Sequence, residues 1–218
     1  MIKLVIKFII GVLIVPVAIA VSLAFYHNVT LIKELAASLN YFRWGISAYV
    51  ILHLLFYKPM YLYVLGHEAV HAGVAWLFGA RIKSFKVSGE GGSVGADRSN
   101  MVIELSPYFI PIHAIIITLV YFGIVSSYNV DGRLFVFLIG FCLALHIIMT
   151  IEVMKARQPD IVKSGYFFSI IFVYILNIIV ISLIFSLLFP AFSAKKFFVE
   201  IWGVSKSMYA AIFKQLFL

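Results

Sequence analysis

With 218 residues, 64% of them hydrophobic and only 12% charged, the chain is far more apolar than the roughly 45–50% typical of soluble domains, which excludes an ordinary soluble enzyme. The formal net charge of +8 is spread over loops and ends rather than gathered on one basic face, so nucleic acid is excluded as a partner and a lipid bilayer with anionic headgroups is expected instead. A single cysteine, Cys142, excludes a disulfide scaffold within the chain and leaves any metal site to histidines and carboxylates.

At about 20 residues per crossing, the length accommodates roughly six transmembrane helices with short loops. The expected fold is therefore an all-α polytopic membrane protein, a single membrane-embedded domain over residues 1–218 with its core over 60–190. The first apolar run, 4–25, follows Lys3 and Lys7 and contains Ala18-Ile19-Ala20, so it fits either a cleaved signal peptide or an uncleaved anchor helix. Its apolar part is about twice the length of a signal-peptide core, which favours the anchor. Residues 28–43 are mixed in character, and a second span is expected over 44–57, broken by Lys58-Pro59.

The third expected span, 60–79, is followed by the longest polar stretch, 81–100, where Gly89, Gly91, Gly92 and Gly95 predict a short loop or hairpin. A fourth span over 101–125 carries Pro107 and Pro111 near its start, which leaves backbone groups unpaired and calls for protein or a wet cavity beside them. The fifth and sixth spans are expected over 134–154 and 166–189. Beyond Pro190, over 192–218, Phe197, Ile201, Val204, Met208 and Ile212 recur at helical spacing opposite Lys196, Lys206 and Lys214, which predicts an amphipathic interfacial helix.

Six crossings put successive loops on alternate sides of the membrane. If the third span ends at the cytoplasmic side, the cationic loops around Arg43, Arg81 to Arg98 and Lys155 to Lys163 are all cytoplasmic, and the opposite loops keep only Lys58 and Arg133. The lysines of the two termini then fall on the outer side, against that rule.

One motif carries chemistry. His67-Glu68-Ala69-Val70-His71 is an H-E-x-x-H pattern, which on a helix stacks two imidazoles one turn apart on one face with a carboxylate beside them. Such an arrangement suits two ligands of a tetrahedral Zn2+, with Glu68 placed as the catalytic base for the attacking water. His71 lies eight positions before Gly79, about 12 Å along a helix, so these polar groups sit inside the hydrocarbon layer, where a bound metal compensates their cost. A buried hydrogen-bonded cluster without metal is the bland alternative.

Zinc with an open fourth position needs a third protein ligand, and Asp160, Glu152, Glu104, His113 and His146 are the candidates. Asp160, in Gln158-Pro159-Asp160-Ile161 between the fifth and sixth spans, returns to the side on which the third span ends; it also suits an ordinary helix cap.

These residues resemble the site-2 protease family of intramembrane zinc metalloproteases: the H-E-x-x-H within a transmembrane helix, the following Phe78-Gly79-Ala80-Arg81 with its glycine-rich loop, and a later Asp at a helix junction. The resemblance covers 60–165, about half the chain, and is to a minimal member without an inserted peptide-binding domain. Gln158-Pro159-Asp160-Ile161 stands where the family usually has an Asn-Pro element leading to Leu-Asp-Gly. What the resemblance implies is a zinc endopeptidase with metal ligands His67, His71 and Asp160, general base Glu68, and a membrane-anchored protein substrate cut within or near its transmembrane segment. Residues 83–87 are then a candidate strand edge for the unwound substrate. The rival class is a zinc-binding membrane protein without peptidase activity, either a metal transporter or a silent adaptor.

Overall fold

The computed structural model describes residues 2–32, 36–125, 131–156 and 158–217. Helices dominate, and three of those among the described residues are long and apolar enough to cross a bilayer: 4–30, 132–155 and 166–188. Two further helix pairs qualify if each bent pair counts as one span. The expected six crossings are therefore three to five by length and composition. Contacts divide the chain into two compact units, Met1–Leu35 with Ile161–Leu218, and Ala36–Asp160.

In the first unit, α1 (Ile2–Leu13) and α2 (Val15–Thr30) continue one another, because Ala18 N–H still reaches the Ile14 carbonyl at 3.0 Å. Pro16 sits in the first turn of α2, where its missing N–H costs nothing. Both helices pack on α9 (Tyr166–Leu188). The expected C-terminal amphipathic helix is α10 (Ala194–Phe217), which lies along α2. Its Phe197 is fully buried while Lys196, Lys206 and Lys214 are exposed, as the periodicity requires. Glu200 holds α10 to α2 by pairing with His27 and accepting from Asn28.

In the second unit, α3 (Ala36–Leu55) and α7 (Gly132–Lys155) run side by side and in the same direction. The contacts climb together along both: Arg133 over Tyr41, Phe137 against Gly45, Phe141 against Tyr49, and Glu152 with His53. Glycine permits this closeness, since a Cβ at Gly45 would stand 2.0 Å from the Phe137 carbonyl and one at Gly140 2.3 Å from that of Phe42. Tyr49, Tyr63, Val64, Leu145 and Met149 form the core beside it.

Parallel α3 and α7 correct the strict alternation expected of the second and fifth spans. Lys58 is likewise not opposite Lys155: its Nζ lies 2.7 Å from Glu152 Oε1, so it belongs to the same end of the bundle. The physical reason is that two segments between them are bent. The chain turns by 118° between α3 and α4 (Met60–Leu77) at Lys58-Pro59. It turns by 72° between α5 (Met101–Leu105) with the 3-10 turn Ser106–Tyr108 and α6 (Ile112–Val125), where Pro107 and Pro111 interrupt the backbone ladder. The polar stretch after α4 is a hairpin, β1 (Ile82–Val87) antiparallel to β2 (Gly92–Ala96), packed on α4. Gly79, at φ 74°, ends α4 by letting Ala80 N–H return to the Ala75 carbonyl at 2.9 Å.

Candidate metal centre

α4 sets the first two side chains. Because His67 and His71 are four residues apart, their rings lie on one helix face with centroids 4.9 Å apart. The His71 ring is oriented by the backbone: Nδ1 donates to the Ile103 carbonyl at 2.8 Å, which fixes the proton on that nitrogen and leaves the Nε2 lone pair free. The Ile103 peptide is itself held twice. Asn100 caps α5 by accepting from Ile103 N–H, and Ser106 Oγ donates to the Ile103 carbonyl. The broken start of the fourth segment is thus the support for His71. It also supplies Tyr108, fully buried, whose ring meets that of His67 edge-on at 4.9 Å.

The short helix α8 (Pro159–Lys163) follows the end of α7, and Asp160 stands in its first turn. Its carboxylate reaches the histidines: Oδ2 lies 3.4 Å from His71 Nε2. One donor atom from each of His67, His71 and Asp160 falls within 4.8 Å of the others. The separation of 3.4 Å is longer than a good hydrogen bond, but it matches the edge of a tetrahedron whose bonds are about 2.0–2.2 Å, which is also about 3.4 Å. Two imidazoles and one carboxylate are a donor set suited to a divalent metal. By chemistry and by spacing the residues fit a metal ion.

The other candidate third ligands are engaged elsewhere. Glu152 accepts from Lys58 and pairs with His53 Nε2 at 3.2 Å, a string extended by Tyr49. Glu104 accepts from Ser99, and His113 Nε2 donates to the Leu62 carbonyl. His146 is buried near His67 but is not among the three convergent donors. Accordingly, Asp160→Ala is expected to lose bound metal almost as completely as loss of either histidine, whereas Glu152→Gln retains it. Elemental analysis of the purified variants checks this, and metal retained by Asp160→Ala but lost by Glu152→Gln would move the ligand to α7.

Glu68 is buried, at 6% exposed, beneath the hairpin. A Cβ on Gly92 would stand 2.5 Å from Glu68 Cγ and 2.9 Å from Oε1, with the Lys86 carbonyl also at 2.9 Å. β2 therefore rests directly on the candidate base, and a side chain at position 92 would have to displace it. Sequence reading flagged the glycines as turn formers and did not anticipate this contact. Ile103 and Tyr108 were equally hidden, although the prolines beside them marked the segment as irregular. Comparison with protein-family models, with curated proteins and with solved structures returned no match.

Proposed function

We propose that this protein is an intramembrane zinc metallopeptidase, similar to the site-2 proteases, that hydrolyses peptide bonds of membrane-anchored proteins in or near their transmembrane segments. The observation that carries the reading is the convergence of His67, His71 and Asp160 from two distant helices, with Glu68 on the same turn as the first ligand. Zinc in such a donor set supplies Lewis-acid polarisation of the scissile carbonyl and an acidified water. His67, His71 and Asp160 hold it; Glu68 takes the proton of the attacking water and later gives it to the leaving amine. Burial of Glu68 under β2 keeps bulk water from the carboxylate and raises the strength of each interaction there.

A substrate helix must unwind before its peptide bonds are reachable. The hairpin offers a means, since each strand of a two-stranded sheet keeps one unpaired edge, and β1 is exposed along most of its length. We propose that the site lies nearer the cytoplasmic face of the cell membrane, the orientation to which the cationic stretch 81–98 after α4 points.

Co-expression with a panel of single-span proteins, with and without a membrane-permeant zinc chelator, tests the reading. A fragment made only when zinc is available is the expected result; no processing of any substrate by a zinc-loaded protein would overturn it. One observation favours the transporter alternative. The string Lys58, Glu152, His53 and Tyr49 is a second cluster of ionisable side chains in the same unit. Zinc flux into vesicles, lost on His53→Ala, is what that alternative requires.

Gly92 gives a sharper prediction. Gly92→Ala should keep zinc but slow cleavage by about 10²-fold, because it displaces Glu68 by roughly 1 Å. Gly89→Ala, where an added Cβ meets nothing within 4 Å, is the matched control and should cleave normally. Equal rates in the two variants would show that β2 does not position the base.

A further inference from the structure

We propose that a small cavity between α4, α6 and α7 binds one water molecule that accepts the Nδ1 proton of His67 and is anchored by His146, so that His146 is a positioning residue for the metal ligand. The proposal rests on the reading of His67 as a zinc ligand. It begins from an asymmetry between the two histidines. His71 ties its Nδ1 to the Ile103 carbonyl and offers Nε2. His67 is half-buried as a residue, yet its Nδ1 is wholly buried and has no hydrogen-bond partner in the protein.

With Nε2 directed to the metal, as in His71, the neutral ring keeps its proton on Nδ1, and a buried N–H without an acceptor is disfavoured. No backbone carbonyl serves here as Ile103 does for His71. Instead, His67 forms one wall of a cavity with room for a single water, shared with Tyr63 and Gly66 of α4, Ile112 and His113 of α6, and His146 of α7.

A buried water needs two to four polar partners, and three imidazoles face this space. His113 is already oriented, because its Nε2 donates to the Leu62 carbonyl at 3.2 Å, which leaves Nδ1 as an acceptor in the neutral ring. Gly66 makes room for that ring: a Cβ there would stand 2.6 Å from His113 Cε1. His146, 5% exposed in the middle of α7, closes the cavity from the third side. A water in this position accepts from His67 Nδ1 and donates to imidazole nitrogens, completing for His67 the outer support that Ile103 gives His71.

Zinc affinity of the purified full-length protein, measured by competition with a chelator, tests the proposal. His146→Leu removes the anchor and should weaken zinc by about 10–100-fold, the usual effect of losing an outer partner of a ligand histidine. His146→Gln still holds a water and should recover most of the affinity. Thermal unfolding of the metal-free variants shows that each is folded. In wild-type protein in bilayers, proton-detected NMR should show His67 Nδ1–H with a cross-peak to a slowly exchanging water. Unaltered zinc affinity in His146→Leu, or a His67 Nδ1 without a proton, would overturn this proposal alone. Wild type that binds no zinc would overturn it together with the peptidase reading.

Discussion

Glu68→Gln is expected to keep its zinc and to lose cleavage of a membrane-anchored substrate by about 10²–10⁴-fold, the worth of a general base. The two outcomes separate because the neighbouring side chains have different jobs. Glu68 is not one of the three convergent donors, so metal binding does not depend on its charge. An amide of the same shape fits under Gly92 as the carboxylate does, but it cannot accept a proton from the attacking water. Uncut substrate should then accumulate with the variant. Cleavage at the wild-type rate by zinc-loaded Glu68→Gln would remove Glu68 from the chemistry.

His67→Ala and His71→Ala are expected to lose about one equivalent of zinc each, and with it thermal stability in detergent. Metal that binds only the folded protein stabilises it by mass action, by about 4 kcal/mol when free metal is a thousandfold above its dissociation constant. Each variant should therefore unfold at the midpoint of chelator-treated wild type, and added zinc should raise the midpoint of wild type alone. His53→Ala is the control: its side chain is buried with Tyr49 and Glu152, outside the donor set, so zinc content is unchanged. Zinc bound equally by all three variants would contradict the site.

What was legible in the sequence was local. Two histidines and a glutamate within one helical turn fix their own geometry once α4 forms, the apolar runs 4–25 and 134–154 fall within helices of crossing length, and the run 166–189 overruns a third such helix by one residue. Asp160 was legible through the span count, which returns the junction after the fifth span to the side on which the third ends, and there it stands in the first turn of α8. The direction of α3 against α7 was not readable. Alternation is a sound rule for straight spans, but here the chain bends by 118° and 72° between them, and the sequence shows such breaks without showing where they lead. The supports of the site were hidden for a different reason. Ile103 reaches His71 across 32 residues through a backbone carbonyl, an atom every residue has, and Gly92 meets Glu68 through the absence of a side chain. Neither leaves a residue-type signature.

X-ray absorption at the zinc edge on the purified protein tests the central claim most directly, since it reads both the metal and the atoms around it. The account predicts about one zinc per chain with two imidazole nitrogens and carboxylate oxygen at about 2.0–2.2 Å, and loss of the carboxylate contribution or of the metal in Asp160→Ala. Protein free of zinc, or a zinc shell without two imidazoles, would contradict it.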